Sequence, residues 1–239
     1  NVENADHIIE DYQFDPQGRA LPMGAAYISL VYNQNMLDAR GVSGPETFED
    51  LTSEDYRDAL LIPNPQNSET GLEFMFWTIN EYGEDGYLDY WQELLDNGAR
   101  ILEGWGAAYG AYSEGEAPAV VSYSTDQVFA DMSDADMAEH QIGFLNGEGY
   151  AYLEAMARFS DTDKPELAES FVSFMLRPEI QAEVAQRNVA LPAVGNAELP
   201  ETFDELTPEP ETVVSFDYDR LSGNVDSWLN EWSRQVATQ

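Results

Sequence analysis

Acidic side chains set the terms on which this chain can fold. Asp and Glu number 46 against ten Lys and Arg, a formal net charge of −36, and only one of the ten bases, Lys164, is lysine. Charge this far from zero keeps a protein soluble but makes the compact state repel itself. At about 1 M salt the Debye length shrinks to roughly 3 Å, and most of that repulsion disappears. A folded chain with this balance is therefore expected from a halophile. The alternative of a disordered acidic chain conflicts with a content of 43% hydrophobic and 12% aromatic residues, enough to build a core.

The other coarse features narrow the function classes. With 239 residues the chain accommodates one large domain or two small ones. No apolar run approaches the ~18 residues of a membrane span, and residues 1–15 are too polar for a signal peptide. Absence of cysteine excludes disulfides and thiolate metal sites. It leaves the compartment open, because a signal or lipid-anchoring segment is removed from some mature chains. Basic patches with interleaved aromatics are missing, so nucleic acid is not an expected partner.

Periodicity predicts alternating strands and helices. Residues 25–32 (AAYISLVY) read as a strand, with a short helix near 35–39, a loop at 41–45 and one or two helical turns within 45–60. A brief apolar strand at 60–63 runs into the turn-rich Pro63-Asn64-Pro65-Gln66-Asn67. Leu72, Met75, Phe76 and Ile79 then mark a helix over 70–82, and Leu88, Trp91, Leu94 and Leu95 mark the next. Strands are expected at 99–102, 117–123, 141–145 and 150–157, with a helix at 104–113. Leu167, Phe171, Phe174 and Met175 outline a helix opened by Pro165. Residues 199–212 read as a Pro- and Glu-rich loop or linker, and Leu221, Val225, Trp228 and Trp232 as a final helix. Such alternation predicts an α/β fold with a largely parallel sheet.

Catalytic patterns are lacking. No Gly-x-Ser-x-Gly elbow, Walker loop or His-Glu-x-x-His helix occurs, and carboxylate pairs such as Asp134/Asp136 and Asp161/Asp163 arise by chance among 46 acids. His7 and His140 are expected to be surface or structural residues. The sequence is thus expected to carry no catalytic residue, no metal and no cofactor. Binding features are more informative. Ser68, Glu69 and Thr70 lie at the start of a helix that follows a strand, where free N–H groups can receive an anion or polar ligand group; capping by Ser68 is the simplest role. Trp105 follows Gly104 directly after a strand and Tyr123 ends one, both with polar tips, and Phe129 lies one helical turn beyond Thr125. Ligands of α/β sheets bind beyond the carboxyl ends of the strands, so Trp105 and Tyr123 suit a ligand platform, whereas Phe129 fits a core position equally well.

At these residues the chain resembles the thiamine-binding proteins of ABC importers. The likeness runs through Val31–Asn35, Ser68–Leu72, Glu103–Gly110, Gly115-Glu116, Val121–Thr125, Lys164–Ala168, Phe171–Pro178, Leu191-Pro192 and Trp228–Trp232, nearly the whole chain in one order. It implies a two-lobed solute receptor with a type II periplasmic-binding fold, holding its ligand between the lobes. Residues 30–147 would form the central lobe; residues 1–29 and 148–239, including the C-terminal helices, would belong to the other. That other lobe would be incomplete, since family members build part of it from an additional N-terminal segment. By the same resemblance Ser68, Glu69, Trp105, Tyr123, Phe129 and Val189 are ligand-binding positions. Phe129 replaces a usual Tyr, Val189 a stacking Trp, and Gly24-Ala25-Ala26 an Asp-Tyr-Gly. Glu69 stands where a neutral Thr would help bind phosphate, which favours free cationic thiamine over its phosphate esters.

The implied role is an extracytoplasmic receptor that delivers thiamine or a related small cation to an ABC permease, touching the membrane only through a removed anchor or that permease. A sibling receptor for a polyamine or ferric iron is the alternative, and an acid/base hydrolase a distant one. If the acidic surplus reflects a saline habitat, the thermal unfolding midpoint should rise between about 0.1 and 2 M KCl; a midpoint that stays level or falls would refute that reading.

Overall fold

In a computed structural model of the chain, residues 2–216 and 218–236 are described. The chain divides into two compact units, one of residues 1–26 and 152–207 and the other of 27–151 and 208–239. The sequence expectation places 148–239 with the first residues; the segment beginning at Pro208 instead packs with the central unit. Residues 1, 217 and 237–239 of that expectation lie outside the described residues.

Strands β1 (Ala20–Tyr32), β2 (Leu60–Pro63), β3 (Arg100–Leu102) and β4 (Ala119–Tyr123) contribute to the larger unit. Two β-α-β crossovers connect the last three, through helices α2 (Glu69–Asp96) and α3 (Trp105–Ser113). As that connectivity requires, β2 pairs parallel with both β3 and β4. Before them, α1 (Gln34–Arg40) starts where the Asn33 side chain accepts from the Met36 N–H at 3.0 Å and stops at left-handed Gly41. Residues 45–60 form two 3-10 turns, Asp50–Thr52 and Glu54–Tyr56.

The sheet is mixed, not largely parallel. β1 runs antiparallel to β4, to β5 (Gln141–Gly143) and to β7 (Leu191–Pro192), while β6 (Glu148–Ala157) pairs parallel with β8 (Thr212–Val214). Alternating strand and helix patterns imply parallel neighbours only where a helix crosses between them. β1 has no such crossover to β4, so its direction could not be inferred from periodicity.

Two packings build the larger unit. Small residues on α3, Ala108 and Ala111, let it lie against Val31, Leu61 and Val120 of the sheet. On α2, the two expected helices are continuous except at Gly83, whose φ of 73° breaks the helical path. Phe74, Trp77 and Trp91 are buried; Phe74 meets both tryptophans edge-on, and the Trp91 indole donates to Thr78 Oγ1 at 3.0 Å. Helix α8 (Tyr218–Gln235) packs on this surface. Trp232 meets Trp91 edge-on at 5.2 Å, Trp228 meets Phe76, and the Tyr87 hydroxyl donates to the Trp228 carbonyl. Aromatic burial of this size explains why residues 208–239 join the central unit. Helix α4 (Asp126–Met132) follows β4.

In the smaller unit, α5 (Pro165–Met175) and α6 (Pro178–Asn188) each begin with proline at the first helical position. Ile8, Leu176 and Val194 form its buried centre, with Leu21, Met156 and Val172 packed around them. Gln181 of α6 is fully buried and fully bonded: its Nε2 donates to the Met23 and Met175 carbonyls, and its Oε1 accepts from the Ala193 N–H. The stretch 199–212, expected as a loop or linker, contains the short helix α7 (Glu201–Glu205), which buries Phe203.

The aromatic seam predicts a graded response at Trp232. Trp232→Ala should lower stability by about 3–5 kcal/mol. Trp232→Phe should cost clearly less, because it keeps a ring against Trp91 and deletes a buried indole N–H that has no partner among the described residues. Urea unfolding in high KCl would check the order; equal losses would deny the seam its role.

Candidate functional site

Parallel pairing aligns the carboxyl ends of three strands in the larger unit. Pro63 of β2 lies opposite Leu102 of β3, and β4 ends at Tyr123 on the other side of β2. Beyond each end a helix begins: α2 at Glu69, α3 at Trp105 and α4 at Asp126. The connecting turns are fastened together. The Asn64 N–H donates to the Leu102 carbonyl at 2.8 Å, and the Ser124 N–H to the Tyr27 carbonyl at 2.9 Å. Gly71 allows α2 to start so close to its strand, because a Cβ there would collide with the Pro63 carbonyl.

Five of the six expected site residues lie along this edge. Ser68 occupies the N-cap position of α2 in extended conformation, yet its side chain makes no capping hydrogen bond. The simple capping role expected for it is therefore absent. Exposed Glu69 opens the helix, and the next residue, Thr70, donates from Oγ1 to the Tyr123 hydroxyl at 2.8 Å. That bond ties the helix start to the end of β4. Trp105 stands 39% exposed at the start of α3, its Nε1–H bonded to Ser122 Oγ at 3.0 Å. Its ring lies 6.0 Å from that of Tyr123. Phe129 on α4 is 46% exposed, so it is not the core residue it could equally have been. It reaches the group through Tyr109, meeting that ring edge-on at 6.1 Å.

Val189, the sixth, belongs to the smaller unit. It terminates α6 with φ 53° and ψ 54°, a left-handed conformation that is unfavourable for a β-branched residue. Its neighbours Ala190 and Ala193 are buried.

The surroundings contain residues that the sequence did not single out. Tyr109 is buried with its face stacked on Trp105, and it bonds to Asp126, which bonds in turn to His140. His140 is thus a buried structural residue. His7 is exposed and contacts the Asn196 side chain. Burial, then the charge and hydrogen bond of Asp126, push the Tyr109 phenol far above its ordinary value, so it stays neutral and donates. The helical spacing from Trp105 to Tyr109 was readable; the Asp126–His140 contact, between residues 14 apart, was not.

Glu73, one turn into α2, has an enclosed Oε2 without a hydrogen-bond partner among the described residues. Burial first, and the neighbouring charge of Glu69 second, hold its carboxyl well above the usual range. Chemically, the edge offers aromatic faces, a helix start with an uncommitted serine hydroxyl, and carboxyl groups. It suits a flat, polar or cationic ligand. Among the described residues no group of three or more His, Asp and Glu converges to hold a metal ion.

Comparison with known proteins places the chain among solute receptors. The family described as bacterial extracellular solute-binding protein matches residues 1–224. The thiamine-binding periplasmic protein of Escherichia coli K12 is 29% identical over 217 residues, 91% of this chain and 64% of that protein. The protein of the same name from Brucella melitensis is 27% identical over 213 residues, 89% of this chain and 62% of its own length. Thus the chain spans a little under two thirds of the length of these relatives. A solved periplasmic thiamin binding protein superposes with a TM-score of 0.85 at 26% identity, covering 97% of this chain and 70% of that one. The fructose-6-phosphate-bound binding protein AfuA from Actinobacillus pleuropneumoniae, 19% identical with a TM-score of 0.79 and covering 99% of this chain and 75% of that one, shares the fold. The architecture is that of the type II periplasmic binding proteins, as the sequence resemblance implied.

Glu73 supplies a test of the buried carboxyl on α2. Its folded-state value lies above the unfolded one, so the folded protein binds the extra proton. The Glu73 contribution to stability must then decline as pH rises past the unfolded carboxyl value of about 4.3. Glu73→Gln should flatten the fall in urea stability between about pH 4.5 and 8 relative to wild type. Identical pH dependence in the two proteins would count against the assignment.

Proposed function

The chain belongs to the bacterial extracellular solute-binding protein family, and on that premise we propose that it is the extracytoplasmic receptor of an ABC importer, binding thiamine and passing it to the permease without chemistry of its own. The observation that carries the ligand assignment is the agreement between the aromatic edge and the relatives. Trp105 opens the helix that follows β3 and Tyr123 ends the next strand, β4, in a chain whose sequence relatives over about nine tenths of its length are named thiamine-binding. Both rings lie where a bound solute can reach them: Trp105 is exposed and Tyr123 half-buried.

Thiamine is a cation of two flat aromatic rings joined through a methylene group, with a permanent charge on its thiazolium ring. A desolvated cation over an aromatic face gains up to about 2 kcal/mol. Two such contacts provide roughly half of the ~8 kcal/mol that micromolar binding needs, and hydrogen bonds with apolar burial provide the rest. We assign stacking to Trp105, Tyr123 and Phe129, and polar contacts to Ser68 and the first N–H groups of α2. The negative charge of Glu69 at that helix start repels phosphate, which favours the free vitamin over its esters.

The acidic composition enters the same proposal as habitat. In a saline medium screening over about 3 Å removes long-range attraction between the protein and a cation. Selectivity then comes from contact.

Calorimetry on the full-length protein in multimolar KCl tests the reading. Thiamine should bind with one-to-one stoichiometry, thiamine phosphates more weakly, and Trp105→Ala should weaken binding about 10- to 100-fold. No heat with thiamine, or an unchanged affinity in Trp105→Ala, would overturn the assignment.

A further inference from the structure

Beneath the exposed rings lies a buried polar chain that the binding reading leaves without a role. Trp105 and Tyr109 occupy successive turns of α3 and stack with centroids 5.0 Å apart and planes inclined at 27°. Phe129 meets the same Tyr109 ring edge-on. Both exposed rings of the edge therefore rest on one buried tyrosine.

Tyr109 is itself tethered at its far end. Its hydroxyl donates to Asp126 Oδ1 at 2.6 Å, and the other carboxylate oxygen, Oδ2, lies 2.6 Å from His140 Nδ1. Asp126 and His140 are both buried. Asp126 opens α4, where the helix start favours negative charge, and His140 leads into β5. One turn further along α3, the Tyr112 hydroxyl donates to the Glu139 carbonyl. Three segments that are distant in sequence, α3, α4 and the residues before β5, are thus fastened around a single carboxylate.

A buried carboxyl–imidazole contact of this kind is weak evidence for stability, since apolar residues of the same volume often serve as well. What it does provide is direction. A tyrosine held by packing alone can slide in its plane, whereas one with its hydroxyl fixed at 2.6 Å keeps its height and tilt. Trp105 depends on that support. It starts its helix, 39% exposed, and its indole is steadied by the Nε1–H bond to Ser122 and by the Tyr109 face.

We propose that Asp126 is a positioning residue: with His140 it holds Tyr109 in place, so that Trp105 and Phe129 present their faces to the ligand already oriented. The identity of the ligand rests on the thiamine reading above; the positioning itself is a property of the ligand-free protein. Preorganisation of this kind raises affinity by removing the cost of ordering the rings on binding.

The full-length protein carrying 5-fluorotryptophan allows the two to be separated. Its Trp105 fluorine resonance is assigned by its loss in Trp105→Phe. In Asp126→Ala and Tyr109→Phe that resonance should shift and broaden without ligand, while those of the core residues Trp77, Trp91 and Trp232 stay in place. Calorimetry should show thiamine affinity falling about tenfold in Asp126→Ala, which removes the acceptor of the Tyr109 hydroxyl. The fall should vanish when Asp126→Ala is combined with Trp105→Ala and Phe129→Ala. An unmoved Trp105 resonance in folded Asp126→Ala, or the same loss of affinity without the two rings, would overturn the proposal. Should Asp126→Ala fail to fold, Tyr109→Phe, which deletes one hydroxyl, breaks the same tether and is read in the same way. If wild type shows a single sharp Trp105 resonance that the variants disturb but takes up no thiamine, the ligand assignment fails and the positioning role stands.

Discussion

Parallel pairing of β2 on both of its edges is the constraint from which the candidate site follows. Leu61 lies opposite Arg100 on one side and Val120 on the other, so the three strands end at one level. Each must then turn into a helix along the same edge, and each helix start leaves backbone donors uncommitted. Pro63, Leu102 and Tyr123 fix those ends; Gly71 lets α2 approach its strand, and the Thr70–Tyr123 hydrogen bond holds the result. A site assembled this way is carried by backbone register. Its side chains inherit their places from the ladder, and loop variation changes what the edge binds without changing where it binds.

Charge plays two separate parts in this molecule. Most of the acidic side chains lie at the surface, where salt screens them and where they affect solubility more than shape. The enclosed acids behave differently. Asp126 is compensated by a tyrosine hydroxyl and an imidazole, and such a compensated carboxylate can direct its neighbours. Glu73 has an oxygen with no partner among the described residues and is driven towards its neutral form by burial. The net charge of −36 therefore says little about binding, and a handful of acids chosen by burial says more.

Much of the secondary structure was legible in the chain. The βαβ segment from β2 to β4 matched its apolar runs and turn residues closely, because strands of 3–5 residues bounded by Pro, Asn and Gly leave few alternatives. Pro165 marked the start of α5. Helix α6 was missed although Pro178 opens it, since its polar sequence shows little apolar periodicity, and α7 was hidden within Pro- and Glu-rich residues. The sheet is not largely parallel as expected, because alternation specifies a strand and not its orientation, and β1 runs antiparallel. The places of Trp105 and Tyr123 along the carboxyl-end edge were readable from the strands they follow and end. Thr70, Ser122 and the Asp126–His140 pair owe their roles to contacts between distant segments, which no local pattern displays.

Composition, periodicity and turn chemistry by themselves determined that this chain folds, that it alternates strands with helices, that its surface is acidic, and which aromatic residues stand at the ends of its strands. These are local or summed properties, and each residue carries its share wherever it sits. Tertiary structure alone decided that the C-terminal helix packs with the central unit, through Trp228 and Trp232 against α2, and that β1 runs antiparallel. It alone joined Tyr109, Asp126 and His140 beneath Trp105. The reason is physical: aromatic packing and hydrogen bonding act over a few ångströms in space, and no pattern along the chain records which distant segments will meet.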